Sequence, residues 1–185
     1  MQFKKTYSLL LLMLTFLGYS QDDVVVIEHL KKQFQSERNE INRIKIALQI
    51  AEKTNYTNLE DVVFYAQKGY TIAKQNKDFE QQVKAIQFLG NAAIIKGNYK
   101  RANQFFTEAK SIFEKHLPQN QEGLIKTLGS LGVIASEQSN YNKALEYYFQ
   151  GKKIADQHQL VNIQIILNNN IGVIYKSTNR YNDAL

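Results

Sequence analysis

Apolar residues recur along this chain at three- and four-residue intervals, the spacing that gathers them on one face of a helix. Val24, Ile27, Leu30 and Phe34 mark a first helix over 22–35. Asp22 and Asp23 stand at its start, where acids suit the positive end of the helix dipole. Ile41, Ile44, Leu48 and Ala51 mark a second helix over 39–53, and Asn55-Tyr56-Thr57-Asn58 breaks it. A third, over 59–75, carries Val62, Tyr65, Ala66, Gly69 and Ala73 on one side. Helices over 79–96 and 99–115, then 121–138 and 141–158, then 161–177 follow, and a further one opens at Tyr181. Turns such as Gly97-Asn98 and Ser139-Asn140 are so short that pair partners must run antiparallel. Asn98 and Asn140 occupy N-cap positions, and Pro118 stops the helix that ends near His116.

These pairs are copies of one unit. Leu131-Gly132 in one helix is followed by Asn140-Tyr141-Asn142-Lys143-Ala144 opening the next. Leu89-Gly90 precedes Asn98-Tyr99-Lys100-Arg101-Ala102, and Ile171-Gly172 precedes Arg180-Tyr181-Asn182-Asp183-Ala184. Tyr99 to Tyr141 is 42 residues and Tyr141 to Tyr181 is 40, with the same steps between Gly90, Gly132 and Gly172. A period in this range means a solenoid rather than a closed globule. The small residues read as packing requirements. Gly132 belongs where its helix crosses the next, against Ala144, with Tyr148 filling the space they leave. Gly151 and its counterparts Ala109 and Gly69 would let the next unit approach. Leu128, Leu131, Ile134, Leu145 and Ile154 supply burial at about 1.5–3 kcal/mol each. Segment 38–78 is a degenerate copy, with Val62 in place of the later Ala and no Leu-Gly.

The N-terminus has a different pattern. Lys4 and Lys5 precede an apolar run over 9–17, and Gly18 and Ser20 stand three and one residues before Gln21. This is the layout of a secretory signal over 1–20, cleaved or, alternatively, kept as an anchor. The run is far shorter than the roughly 20 residues of a stable membrane-spanning helix. Net charge is +6, or +4 once Lys4 and Lys5 are set aside, too mild to imply nucleic acid. There is no cysteine, which excludes disulfides, thiol catalysis and thiolate-bound zinc. His29, His116 and His158 are far apart and lack metal-ligand spacing, so they read as surface or helix-end residues. No nucleophile motif or phosphate loop is present, so neither a metal nor a cofactor is expected. Acids sit singly near lysines, as in Glu80 and Lys84, the pattern of a solvated helix face. Asn55-Tyr56-Thr57 fits a glycosylation sequon.

The repeat resembles the tetratricopeptide repeat. Ile86, Leu89, Gly90, Ala102, Phe106 and Ala109 match its pattern in one copy. Leu128, Leu131, Gly132, Ala144 and Tyr148 match in the next, and Ile171, Gly172, Tyr175 and Ala184 in the last. The departures are the absence of Trp, of Pro at the repeat end, and of the usual 34-residue period. The resemblance implies an all-α fold, an α-solenoid of antiparallel helix pairs. The expected order is an N-terminal cover helix over 21–37, the degenerate pair over 38–78, repeats over 79–120 and 121–160, and an incomplete one over 161–185.

It also implies a protein or peptide partner and no catalysis in this segment. The partner-facing positions would be Lys84, Gln87, Asn91 and Ile94; then Lys126, Ser130, Val133 and Glu137; then Asn169, Asn170, Val173 and Lys176. Asn there can fix a peptide's amides and Lys can pair with an acid. An export signal followed by such repeats is similar to the periplasmic region of bacterial sensor histidine kinases and regulators. On that likeness the chain is expected to be part of a longer protein, with any membrane helix and output domain beyond Leu185. The alternative is a free-standing exported scaffold for envelope assembly.

Overall fold

The computed structural model describes residues 21–55 and 57–178. The expected export signal, the sequon's Tyr56 and the helix expected at Tyr181 lie outside them. Eight helices and no strand occur among the described residues. They are α1 (Gln21–Ser36), α2 (Glu40–Thr54), α3 (Leu59–Gln75), α4 (Phe79–Ile95), α5 (Tyr99–His116), α6 (Gln121–Glu137), α7 (Tyr141–Gln157) and α8 (Val161–Ser177). Each packs on its neighbours in sequence, and α2 also packs on α4. This is the nearest-neighbour order of an α-solenoid, with α2, α4, α6 and α8 as the first helices of successive pairs.

Local chemistry sets the boundaries. Asn39, Asn58, Asp78, Asn98, Asn120 and Asn140 each accept a backbone N–H two or three residues inside the following helix, at 2.9–3.3 Å. Such a cap contributes about 1 kcal/mol, so the chain's abundant Asn has a structural use. Four turns share one geometry. Lys77, Gly97, Ser139 and Gln159 take φ of 55°, 68°, 59° and 55°. The next residue's N–H then donates back to the carbonyl of Ala73, Ala93, Ala135 or Ala155 at 2.8–2.9 Å. That bond satisfies a carbonyl the helix end would otherwise leave open. Only Gly97 adopts this backbone without steric penalty.

Within pairs, the small-for-large exchange holds. A methyl on Gly132 would lie 2.3 Å from the Tyr148 ring, and one on Gly90 would lie 2.5 Å from the Phe106 ring. Ala102 and Ala144 are fully buried beside them. A methyl on Gly151 would lie 3.4 Å from both Ile125 of its own pair and Leu167 of the next. Gly69 differs from expectation: a methyl there would lie 2.9 Å from Leu48 of its own pair. Gly172 meets no described atom.

Helix α1 packs on the first pair. Ile27 and Phe34 are buried against Ala47, Ile50 and Tyr65, and the Phe34 and Tyr65 rings meet edge-on at 5.5 Å. Lys31 bridges Glu28 and Asp61 at 3.0 and 2.9 Å, tying α1 to α3. Val24 and Ile41, read as core from their spacing, are exposed. Both stand in the first turn or so of their helices, beyond the reach of the packed partner. His116 is exposed at the end of α5 and stacks flat on Phe79 at 3.8 Å.

Candidate interaction surface

The first helices keep a strict register. Helix α4 maps onto α6 by a shift of 42 residues and α6 onto α8 by 40, end to end. Equivalent side chains therefore line up across the array. One column runs Glu80, Glu122, Asn162; another Lys84, Lys126, Ile166; another Gln87, Gly129, Asn169; another Asn91, Val133, Val173; and one turn on, Ile95, Glu137, Ser177.

Between α4 and α6 lies a cleft of about 290 Å³. Lys84, Gln87, Lys126 and Ser130 stand on its walls, with Glu80 and Glu122, and Phe106, Ala109 and Phe113 of α5 form its base. The structure thus brings four of the sequence-predicted positions to one opening. Their charges cancel locally. Lys126 pairs with Glu122 at 2.6 Å within α6. Lys84 pairs at 3.1 Å with Glu52 of α2, not with Glu80 of its own helix. The contact joins two units, which helix spacing alone does not reveal. Both pairs are exposed and hold little energy, so a partner can exchange into them.

The other predicted positions lie outside the cleft lining. Asn91 and Val133 are half-buried in the same register column. Ile94 is half-buried and packs against the cluster of Ala93, Ala102, Phe106, Leu131 and Ile134, so it serves the core as well as the surface. Glu137 accepts the Tyr99 hydroxyl at 3.1 Å, which raises that tyrosine's pKa. Asn169, Val173 and Lys176 are exposed on α8, and Asn170 is half-buried.

Sequence reasoning missed Gly129. A methyl built there meets nothing within 4 Å, whereas Gly90, Gly123 and Gly132 are each pressed by a ring. The 42-residue shift from Gln87 points to it. Among the described residues there is no cluster of acids and histidines able to hold a metal, and no helix long and apolar enough to cross a membrane.

The arrangement is that of a tetratricopeptide-like α-solenoid. No protein-family model and no curated protein sequence matches the chain. Solved structures do. The apo form of RapI superposes with a TM-score of 0.79 at 14% identity, over 87% of this chain and 58% of that one. A Rap protein complexed with Competence and Sporulation Factor gives 0.73 at 14%, over 89% and 46%. A Podospora anserina putative kinesin light chain of nearly identical TPR-like repeats gives 0.72 at 15%, over 89% and 81%. At these identities the likeness establishes the fold. The chain spans about half the length of the Rap proteins it resembles.

Proposed function

We propose that this chain is a protein- or peptide-binding scaffold whose recognition surface is the face shared by α4, α6 and α8. The observation that carries the reading is the cleft between α4 and α6. It has an aromatic base, amide and hydroxyl groups on its walls, and two exposed ion pairs able to exchange partners. A solenoid presents this kind of extended surface by construction. The Rap protein complexed with Competence and Sporulation Factor is a protein of this fold with a bound factor.

Changing Asn91 and Lys126 together to Ala is expected to reduce capture of specific partners from cell extract, with melting unchanged. A double variant that retains the full partner set refutes the assignment of this face. The chain is further proposed to work outside the cytoplasm, as the sensing region of a larger signalling protein. That reading rests on Lys4, Lys5 and the apolar run before Gly18 and Ser20, and on the resemblance of the repeats. The mature N-terminus should fall at or near Gln21, and an intact Met1 would sink the export claim. The reading frame past Leu185 separates the sensor from the free-standing scaffold: an apolar stretch of roughly 20 residues followed by an output domain marks the first.

A further inference from the structure

We propose that the cleft between α4 and α6 anchors an arginine of the partner, its alkyl stem on the base of Phe106, Ala109 and Phe113 and its guanidinium at the carboxylate of Glu80. The inference rests on reading this face as the recognition surface, and it names the side chain that the cleft accepts.

The first observation is charge. Glu80, Lys84, Glu122 and Lys126 line the cleft. Helix spacing alone would pair each acid with the lysine four residues on. In α6 that happens, and Glu122 meets Lys126 at 2.6 Å. In α4 it does not, because Lys84 turns to Glu52 of α2 at 3.1 Å. Among the described residues the Glu80 carboxylate has no ion-pair or hydrogen-bond partner. With Glu52 included, three carboxylates stand against two ammonium groups, a surplus of one negative charge. The lysines of this face suggest an acidic partner, yet the charge left free is an acid.

The second observation is hydrogen-bonding capacity. The Thr127 hydroxyl donates to the Gly123 carbonyl at 2.9 Å, and the Ser130 hydroxyl donates to the Lys126 carbonyl at 3.2 Å. Both have spent their protons inside α6 and keep only lone pairs to offer. Asn120 Oδ1 already accepts from the Gly123 N–H at 2.9 Å and has a lone pair to spare. Beyond the two lysines and the amide groups of Gln87 and Asn120, the polar side chains of the lining therefore present acceptors. A guanidinium carries N–H donors and no acceptor, and it grips a carboxylate through two parallel bonds.

The third is the combination of an aromatic base with an exposed, unpaired carboxylate. An uncharged apolar side chain would cover the rings but take water from Glu80 without replacing it. An acidic side chain would face Glu80 and would have to displace Glu52 or Glu122 to reach a lysine. Arginine meets both demands, because its stem lies along apolar surface while its head stays with the carboxylate. Its planar head also stacks on aromatic rings, which the compact ammonium of lysine does not. At about 290 Å³ the cleft is at the small end of ligand sites, a volume suited to a side chain rather than to an element of structure.

The test uses the purified chain and a phage-displayed library of short random peptides. Selected binders are expected to share an arginine. Replacing it with citrulline, which keeps the shape and loses the charge, should weaken binding about tenfold or more in fluorescence anisotropy, and lysine should fall between. Glu80→Gln should weaken the arginine peptides by a similar factor with nearly unchanged melting, since its carboxylate holds no partner in the chain. Glu80→Gln combined with the citrulline peptide should lose little more than either change alone, a coupling that a merely structural effect does not produce. Glu60→Gln makes the same change in the first turn of α3, away from the cleft, and should leave affinity unchanged. Binders enriched in Asp or Glu instead of arginine would overturn the proposal, as would full affinity in Glu80→Gln or a lysine peptide bound as tightly as its arginine parent. If binders indifferent to Glu80→Gln are still lost in the Asn91/Lys126 double variant, the recognition surface stands and only the arginine is refuted. If neither variant affects any binder, or the library yields none, both readings fall.

Discussion

Gly129 and Gly132 lie three residues apart on α6, and the same substitution should act on them in opposite directions. Replacing an interior helical glycine with alanine favours the helix by about 1 kcal/mol at either site. At Gly129 the methyl meets nothing, so Gly129→Ala should stabilise by about that amount. At Gly132 the methyl would lie 2.3, 2.6 and 2.7 Å from three ring atoms of Tyr148. Ordinary carbon contacts are about 3.5–4.0 Å, so the ring has to withdraw by roughly 1 Å. Tyr148 is only 2% exposed and sits in a filled cluster with Ala144 and Ile174, leaving it nowhere to go. Overpacking of this severity costs about 3 kcal/mol, giving a net loss near 2 kcal/mol for Gly132→Ala. The propensity gain cancels between the variants, so their difference of about 3 kcal/mol isolates the clash. For a chain of this length that separates their melting temperatures by roughly 6–12 °C. Thermal and urea unfolding followed by far-ultraviolet circular dichroism measure it. Shifts of the same sign and similar size in both variants would refute the packing account of Gly132 and the open-surface account of Gly129.

Three further outcomes follow from other parts of the structure. Burial pushes the Tyr148 phenol up to about 12, with the Glu137 charge adding to it. Below pH about 10 the phenol is neutral in both states; between about 10 and about 12 only the unfolded state ionises, so stability falls as pH rises. Tyr148→Phe should remove on the order of 2 kcal/mol of that alkaline loss, read from urea midpoints at both ends of the window. Glu108 accepts from the Tyr70 hydroxyl at 2.8 Å, Lys74 at 3.1 Å and the Gln82 amide at 3.1 Å. Gln82 is 5% exposed, so Glu108→Ala strands its amide and should cost about 1–3 kcal/mol in chemical denaturation, with Glu108→Gln losing less. Ser139 holds φ at 59° without being glycine, so Ser139→Gly should stabilise by about 0.5–1 kcal/mol, and no gain in melting temperature would contradict the strain assigned there.

The helices were legible because two independent signals coincide at their ends. Apolar periodicity locates the segments, and Asn or Asp before each of α2 to α7 marks where they begin. Pairing was legible too, because Gly90 and Gly132 need large partners and Phe106 and Tyr148 supply them at a fixed distance along the chain. Contacts between units were not. Lys84 and Glu52 are 32 residues apart, and Tyr70 and Glu108 are 38 apart, with no local pattern linking them. The chemistry of the candidate face was only partly readable. Side chains with hydrogen-bonding groups, such as Ser130, attract notice, whereas Gly129 becomes informative only once its surroundings are known to be empty. Val24 and Ile41 show the converse limit: periodicity marks a helix face but not how far the neighbouring helix extends to cover it.

Where the repeat is obeyed it builds the array, and where it is broken it builds the cleft. Ala73 and Ala155 occupy equivalent positions near the ends of α3 and α7 and are fully buried. In α5 that position holds Phe113, whose ring would lie 2.4 Å from a methyl on Gly123. Helices α4 and α8 carry Gln81 and Ile163 where α6 has Gly123. Volume has therefore been moved from one helix to its neighbour at this junction alone. The same junction has the longer helix, 18 residues against 17 in α3 and α7, and a four-residue connection over 117–120 in place of three. Those two additional residues account for the 42-residue step. Phe113 and Gly123 both line the cleft with Lys84 and Lys126. The ring, the matching glycine and the extra length thus fall at the one junction where the cleft opens. On the reading proposed above, selectivity is a property of this one irregular junction rather than of the motif residues its three copies share.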